Sequence, residues 1–453
     1  MTPLLRCKLS VRSTDMTPIS ATVQGNFCAV FGANQIRAAS PADAICGVQP
    51  QFLLEPATEQ QLATALRLAD ESKLAVIPCG GGTKLSWGNP PSRADLVLST
   101  ARLNRVLDHA WADLTVTVEA GCTIETLQQT LARHGQCLAL DPLWPEKATV
   151  GGILSTNDSG ALRLRFGGLR DLIIGVTIAL PEGTLASSGG RVVKNVAGYD
   201  LPKLVTGAFG TLGVITHAVF RLHPLPGLCR SFTVSVSNPE EAQKIVLAIQ
   251  DSELAPVALQ SQFCAQASPM IDILFEGTEA GLDAQAGQLR ALCRSAKSSV
   301  AQVHSEPRSG TNPKAWSSPS AWNARQDLWS FSNPAENAIA KIGALPADLA
   351  RSTELIRRVA RSSRANWRLL MYATGLGWLR VEGPADNLHR ALTILRADLE
   401  KMGGSLAVLH RPANSETFDT WGVSGDSLPL MKAVKSRLDP SNTLNPGRFV
   451  GGI

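Results

Sequence analysis

Three stretches of this chain combine residue types and spacings that suit ligand chemistry. The first is Pro78-Cys79-Gly80-Gly81-Gly82-Thr83-Lys84, which follows the short apolar run Leu74-Ala75-Val76-Ile77. Glycines reach backbone conformations closed to other residues, so successive N–H groups can converge on one concavity that suits a phosphate. An ordinary glycine turn would have the same composition. The stretch is neither a Walker A loop nor a G-x-G-x-x-G fingerprint, so any nucleotide here is held by another architecture. The second stretch runs from Ala148 through Thr149, Gly151, Gly152, Ser155, Thr156, Asn157, Ser159 and Gly160. It reads as a loop of small polar groups, half-buried by Ile153 and Leu154, that lets a flat polar ring approach the backbone. The third holds Lys194, Asn195, Tyr199 and Asp200, followed by Gly207-Ala208-Phe209-Gly210-Thr211-Leu212-Gly213-Val214-Ile215-Thr216. Lys194 offers positive charge to an anionic ligand and Tyr199 a phenol hydrogen bond. A helix start capped by Asp200 is the alternative.

The remaining polar candidates are sparse. His217 and His223 are too poorly spaced for a metal site, and His109, His134, His304 and His389 stand alone; no metal is expected. Cys79 could be a lowered-pKa thiol beside the glycines or a small space-filler. The nine cysteines are scattered without any C-x-x-C, which disfavours iron–sulfur, zinc and disulfide frameworks and favours a reduced cytoplasmic setting.

Elements that would position these residues are legible. The 453 residues allow two or three domains at roughly 150 each, and 44% apolar against 18% charged residues supports a substantial core. A net charge of +5 with no basic block suggests no nucleic-acid partner. No apolar run reaches the length of a membrane span, and the first residues lack the apolar centre of a secretory signal. Thr58 and Gln61 form a capping box ahead of a helical stripe of Leu62, Ala65, Leu66 and Ala69. Residues 115–119 alternate as a strand. Ile124, Leu127 and Leu131 share a helix face, closed by Gly135. The pattern is α+β. We place a lead-in at 1–45 (Met1 or Met16 being the start), a cofactor domain at 46–226, an α+β domain at 227–410 and a returning tail at 411–453. In the second domain, Phe232, Val234 and Val236 alternate, Pro239 opens a helix, and residues 367–372 and 376–381 flank a Thr374-Gly375 turn. A helix over 384–402 and a strand near Leu406 follow. Residues 305–345 hold a long loop, structureless over 305–334, whose Trp316, Trp322 and Trp329 are expected to face a partner.

Five motifs in order resemble the vanillyl-alcohol-oxidase, or p-cresol-methylhydroxylase (PCMH), type of FAD-binding domain: residues 79–83, 149–152, 165–167, 194–200 and 210–216. The closing Leu438-Asp439-Pro440 and Leu444-Asn445-Pro446-Gly447-Arg448 resemble that family's ending. Within it, residues 194–200 and the short tail are most similar to the FAD-binding subunits of bacterial glycolate oxidases (glycolate dehydrogenases). The resemblance implies a two-part FAD-binding domain plus an α+β cap domain with an antiparallel sheet. Gly80, Gly81, Gly82 and Thr83 would cradle the pyrophosphate, with Pro78, Cys79 and Lys84 beside them. Residues 149–160 would lie along the pyrophosphate and isoalloxazine, Gly210, Gly213, Val214 and Ile215 would meet the adenosine half, and Asn445 would approach the flavin. Hydride would leave C2 of a 2-hydroxy acid for flavin N5, and electrons would continue to an iron–sulfur subunit, with a second FAD-linked subunit present. Membrane association would be peripheral, through those partners.

Two departures accompany the resemblance. Thr83 and Lys84 stand where covalent members carry His, so non-covalent FAD is expected. The late H-x-x-D-G-N-x-H-like block is missing; His410 is followed by Arg411-Pro412-Ala413-Asn414. Phe209 also stands where many relatives have Glu. The catalytic candidates are therefore Lys194, Tyr199, His410 and Arg411. A free-standing 2-hydroxy-acid dehydrogenase and a non-catalytic scaffold are the alternatives.

Overall fold

The computed structural model describes residues 21–32, 34–191, 198–295, 299–307, 320–412 and 418–453. Beside a two-stranded pairing of Gln136–Cys137 with His223–Pro224, the first half builds two main sheets. In the smaller, Ile36–Ala38, Phe52–Leu54, Leu96–Ser99 and Val76–Cys79 lie in that order, the last three mutually parallel. Parallel neighbours need a crossover, and the helix Glu59–Glu71 supplies it, burying Leu62, Ala65, Leu66 and Ala69. Thr58 Oγ1 accepts the Gln61 amide at 3.2 Å, while Gln61 Oε1 accepts the amide of Ala57 rather than Thr58. The strand begins at Val76, two residues later than the apolar run suggests. Lys73 takes a φ of 53° and the Leu74 amide still donates to Ala69 O, so the helix exit consumes the start of the run.

The second sheet is antiparallel throughout, in the order Val106–Ala110, Thr115–Glu119, Val214–Arg221, Ile173–Ala179, Leu185–Gly189. The helix Ile124–Ala132 packs Ile124, Leu127 and Leu131 into its core, and Gly135 follows with φ 65°.

Eight antiparallel strands drawn from Leu228 to His410 make the large sheet. Side chains alternate between the faces of a strand. Phe232, Val234, Leu259, Ala340, Leu379 and Val408 point to one face, beneath the helices Pro239–Gln250, Leu349–Ser362 and Ala385–Lys401. Ile339, Leu370, Tyr372 and Trp378 point to the other, where they meet Trp87, Leu143, Leu162 and Phe209 of the first half. This second contact is the seam of the molecule.

Within 305–334, the described residues 305–307 and 320–334 are not structureless, and 308–319 lie outside the described residues. Residues 305–307 finish the edge strand Ser299–Pro307, and Ser320–Asn323 and Ala324–Asp327 are helical turns. Trp322 and Trp329 do not point outward: Trp322 Nε1 donates to Ser231 Oγ at 2.9 Å, and Trp329 stacks on Trp87. Burying two indoles within the chain removes more apolar surface from water than displaying them would. Trp316 lies outside the described residues. After the helix Leu428–Leu438 the tail runs back to the first half, where Val76 donates to Thr443 O at 2.7 Å and Asn445 to Val76 O at 2.9 Å.

Candidate functional site

The strand Val76–Cys79 runs into three glycines, the first two packed too closely for any side chain. A Cβ on Gly80 would stand 2.1 Å from Thr149 Oγ1, and one on Gly81 would stand 1.8 Å from the backbone oxygen of Lys147. Gly82 takes φ 70°, open chiefly to glycine. The amides of Gly81, Thr83 and Lys84 make no backbone hydrogen bond among the described residues. Exposed N–H groups in a tight turn form an anion-binding concavity.

Opposite stands a structure that sequence reasoning took for a loop. Residues 150–156 form a helix, Val150–Thr156, because Thr149 Oγ1 caps the Gly152 amide and Val150, Ile153 and Leu154 are buried. Gly151 lies against Ala120, where a Cβ would come within 2.9 Å. Between loop and helix runs a solvent-open cleft. Of the residues singled out from sequence, Pro78, Cys79, Gly80, Gly81, Gly82, Thr83, Lys84, Thr149, Gly151, Gly152, Ser155, Thr156, Gly210, Gly213, Val214, Ile215 and Asn445 line it. Asn157, Ser159 and Gly160 do not. Asn157 ends the helix with φ 48°, and the Gly160 amide is taken by the Asp141 carboxylate at 3.0 Å.

Sequence reasoning did not single out Leu85, Thr100, Phe209 and Arg448 as lining residues, although all four line the cleft. Arg448 donates to the carbonyls of Leu85 at 2.6 Å and Trp87 at 2.7 Å, and Asn445 Nδ2 donates to Phe209 O. The tail thereby fixes the chain just after the glycines. The signal was present in the turn-rich ending, but its target is more than 350 residues away.

Beyond Lys84 the cleft gives way to a buried ionic group. Asp158 receives Lys84 Nζ at 3.1 Å and Arg325 Nη1 at 3.1 Å; Arg325 also donates to Ser159 O at 2.9 Å and to Asp141 O. Burial pushes the Asp158 carboxyl up, but Lys84 and Arg325 outweigh it and hold the group below its ordinary value. Burial also dominates at Asp141, whose pKa rises, and at Lys84, whose pKa falls. Indoles enclose the cations: Lys84 lies 5.6 Å from the Trp87 ring and 5.5 Å from Trp144, and Arg325 lies 5.4 Å from Trp378.

Of the four catalytic candidates, Lys194 lies outside the described residues, and the other three are not gathered here. Tyr199 is 91% exposed, and Asp200 beside it caps the helix Leu201–Val205. His410 Nε2 meets Pro334 O at 3.1 Å, the ring lies on Phe331, and burial lowers its pKa. Arg411 spends its guanidinium on Phe418 O at 2.9 Å and Gly88 O at 3.1 Å. Burial raises the Cys79 thiol to about 11, which fits a space-filling residue better than a nucleophile. Among the described residues no group of three or more His, Cys, Asp or Glu could hold a metal.

FAD fits this cleft. The unpaired amides offer donors to a diphosphate.

Residues 50–189 match the FAD binding domain family. The chain is 24% identical over 425 residues to the glycolate oxidase subunit GlcD of Bacillus subtilis, covering 88% of this chain and 89% of that protein. It is 26% identical over 435 residues to the mitochondrial D-lactate dehydrogenase (cytochrome) of Arabidopsis thaliana, covering 88% and 73%. The fold is similar to that of p-cresol methylhydroxylase, with TM-score 0.75, 14% identity, and 94% and 96% coverage.

Proposed function

We propose that this chain, an FAD-dependent oxidoreductase with the PCMH type of fold, serves the oxidation of glycolate or a similar 2-hydroxy acid to the 2-oxo acid. The observation that carries the reading is the amide-lined glycine cleft inside the segment that matches FAD-binding domains. Both relatives named above are described by 2-hydroxy-acid substrates, glycolate and D-lactate. FAD, held without a covalent bond, would supply the two-electron acceptor for the substrate C–H bond. The Gly81, Thr83 and Lys84 amides would bind its diphosphate. Lys84, fixed by Asp158, would hold positive charge at the end of the cleft, and the indoles would exclude water there.

The chain would work as the FAD-binding subunit of a complex with a second FAD-linked subunit and an iron–sulfur subunit, cytoplasmic or at the inner membrane face. Two features favour this over a free-standing dehydrogenase. The chain carries no cysteine set for a cluster, and its histidine and arginine candidates are committed to backbone carbonyls. Among the described residues no helix is long and apolar enough to cross a membrane.

The test is purification from native cells, with identification of bound chains and anaerobic spectra before and after glycolate. Yellow protein that co-purifies with flavin and iron–sulfur chains and bleaches with glycolate is expected. Turnover by the isolated chain with an artificial acceptor would favour the free-standing enzyme. A folded, colourless protein that cannot take up added FAD would overturn both.

A further inference from the structure

We propose that His109 and His134, at the edge of the second sheet, bind zinc or a similar late first-row divalent ion, with water completing its shell. None of the residues involved lines the glycine cleft, so the site stands whether or not the chain oxidises a 2-hydroxy acid.

The first observation is placement. The two histidines stand alone in the sequence, and their spacing gives no reason to expect a metal. His109 lies on the edge strand Val106–Ala110. His134 follows the helix Ile124–Ala132, in a turn where its amide donates to Leu131 O at 3.0 Å and Gly135 takes φ 65°. The fold brings the two imidazoles to a ring-centre distance of 5.1 Å, with their planes at 89°. With metal–nitrogen bonds of about 2.0–2.1 Å, two imidazoles on one tetrahedral ion have ring centres about 5 Å apart. The pair is spaced as two ligands of one ion.

The second observation is the state of the His109 ring. Gln136 Nε2 donates to Trp111 O at 2.6 Å, which turns Gln136 Oε1 toward His109 Nε2 at 2.9 Å. The amide cannot turn round without setting two oxygens against each other. Because Oε1 only accepts, the neutral His109 ring carries its proton on Nε2 and leaves Nδ1 bare. An imidazole that donates one N–H to a carbonyl oxygen and offers its other nitrogen is the arrangement usual at metal centres.

The third observation is Trp111, whose ring is 57% exposed. It stacks on His134 at 5.8 Å and 14°. Its backbone thus holds Gln136, and through it His109, while its ring holds His134. One residue orients both ligands. Among the described residues no third histidine, cysteine or carboxylate joins the pair, so the remaining positions fall to water. Imidazole ligation selects zinc, copper or nickel over calcium and magnesium.

The test uses the full chain without an affinity tag, loaded with FAD and stripped of metal by a chelator, with zinc chloride as the probe. A Cys28→Ser background keeps that exposed thiol from competing. Calorimetry should show saturable zinc binding, and zinc should raise the melting temperature. Gln136→Ala, which releases the His109 tautomer, should weaken binding about tenfold or more, and His134→Ala at least as much. Flavin content should stay unchanged in His134→Ala, whose side chain is on the surface. Electron spin resonance with copper as a second probe should show two imidazole nitrogens in the parent and one in His134→Ala. A contact that serves packing alone would lower the melting temperature of His134→Ala but give the parent no zinc-dependent rise. That result, zinc binding unchanged in His134→Ala, or a copper spectrum with fewer than two imidazole nitrogens in the parent would each overturn the site.

Discussion

The glycine cleft and the seam behind it lie within one side chain's reach of each other, at Lys84, yet they prepare for charge in different ways. The cleft uses main-chain amides, made available by glycines whose missing side chains let Thr149 and Lys147 come close. The seam uses long side chains, Lys84, Asp158 and Arg325, locked among indoles. Amides turned outward by a tight loop cost little to desolvate and hold an anion by geometry. Buried ions cost several kcal/mol each and must be matched by partners. The cleft should therefore fail through shape, and the seam through loss of charge balance.

The largest effect should come from shape. Gly81→Ala forces a Cβ into the Lys147 carbonyl, and flavin absorbance per purified chain should fall roughly tenfold or more, equivalent to at least about 1.4 kcal/mol of binding. Retention of full flavin would show that the loop is not the cradle. Next is charge. Asp158→Ala leaves Lys84 and Arg325 buried and unmatched, which should cost about 3–5 kcal/mol in urea unfolding. Its pH dependence follows in sign. A carboxylate held below its ordinary value adds stability above the usual carboxylate range and loses it as pH falls through its folded value. The neighbouring Asp141, raised by burial, acts in the opposite sense. Acid unfolding should therefore change less in Asp158→Ala plus Asp141→Asn than in either alone.

The smallest effect separates the two regions by reactivity. Cys79 sits at the cleft with its thiol raised to about 11, so it stays protonated until pH rises through that value. With a thiolate fraction of about one in a thousand at pH 8, alkylation should be slow there, whereas exposed Cys28 reacts readily. Mass spectrometry of iodoacetamide-treated protein measures both sites. Equal labelling at pH 8 would mean that the burial of Cys79 does not govern its chemistry.

These differences also explain what could be read without coordinates. Thr58 with Gln61, the Leu62 stripe, the strand at Thr115–Glu119 and the hairpin turn at Gly375 each depend on neighbours within a few residues, so their types and spacing sufficed, although that strand is buried on both faces rather than alternating. The glycine loop was legible for the same reason. The Val150–Thr156 helix was missed because its glycine pair argues against helix formation, and only packing on Ala120 and the Thr149 cap overrides that preference. Trp322 and Trp329 were misjudged as partner-facing because composition does not say which surface an indole covers.

By itself the chain of residues determined where backbone could bend, which faces of helices and strands are apolar, and where amides would be left free for a phosphate. All of that is short-range stereochemistry. Only the tertiary structure decided that Arg325 closes on Asp158 across 167 positions and that Arg448 returns to Leu85. Those outcomes depend on which distant surfaces meet as the sheets pack, and no local preference encodes the partner of a long, flexible, charged side chain.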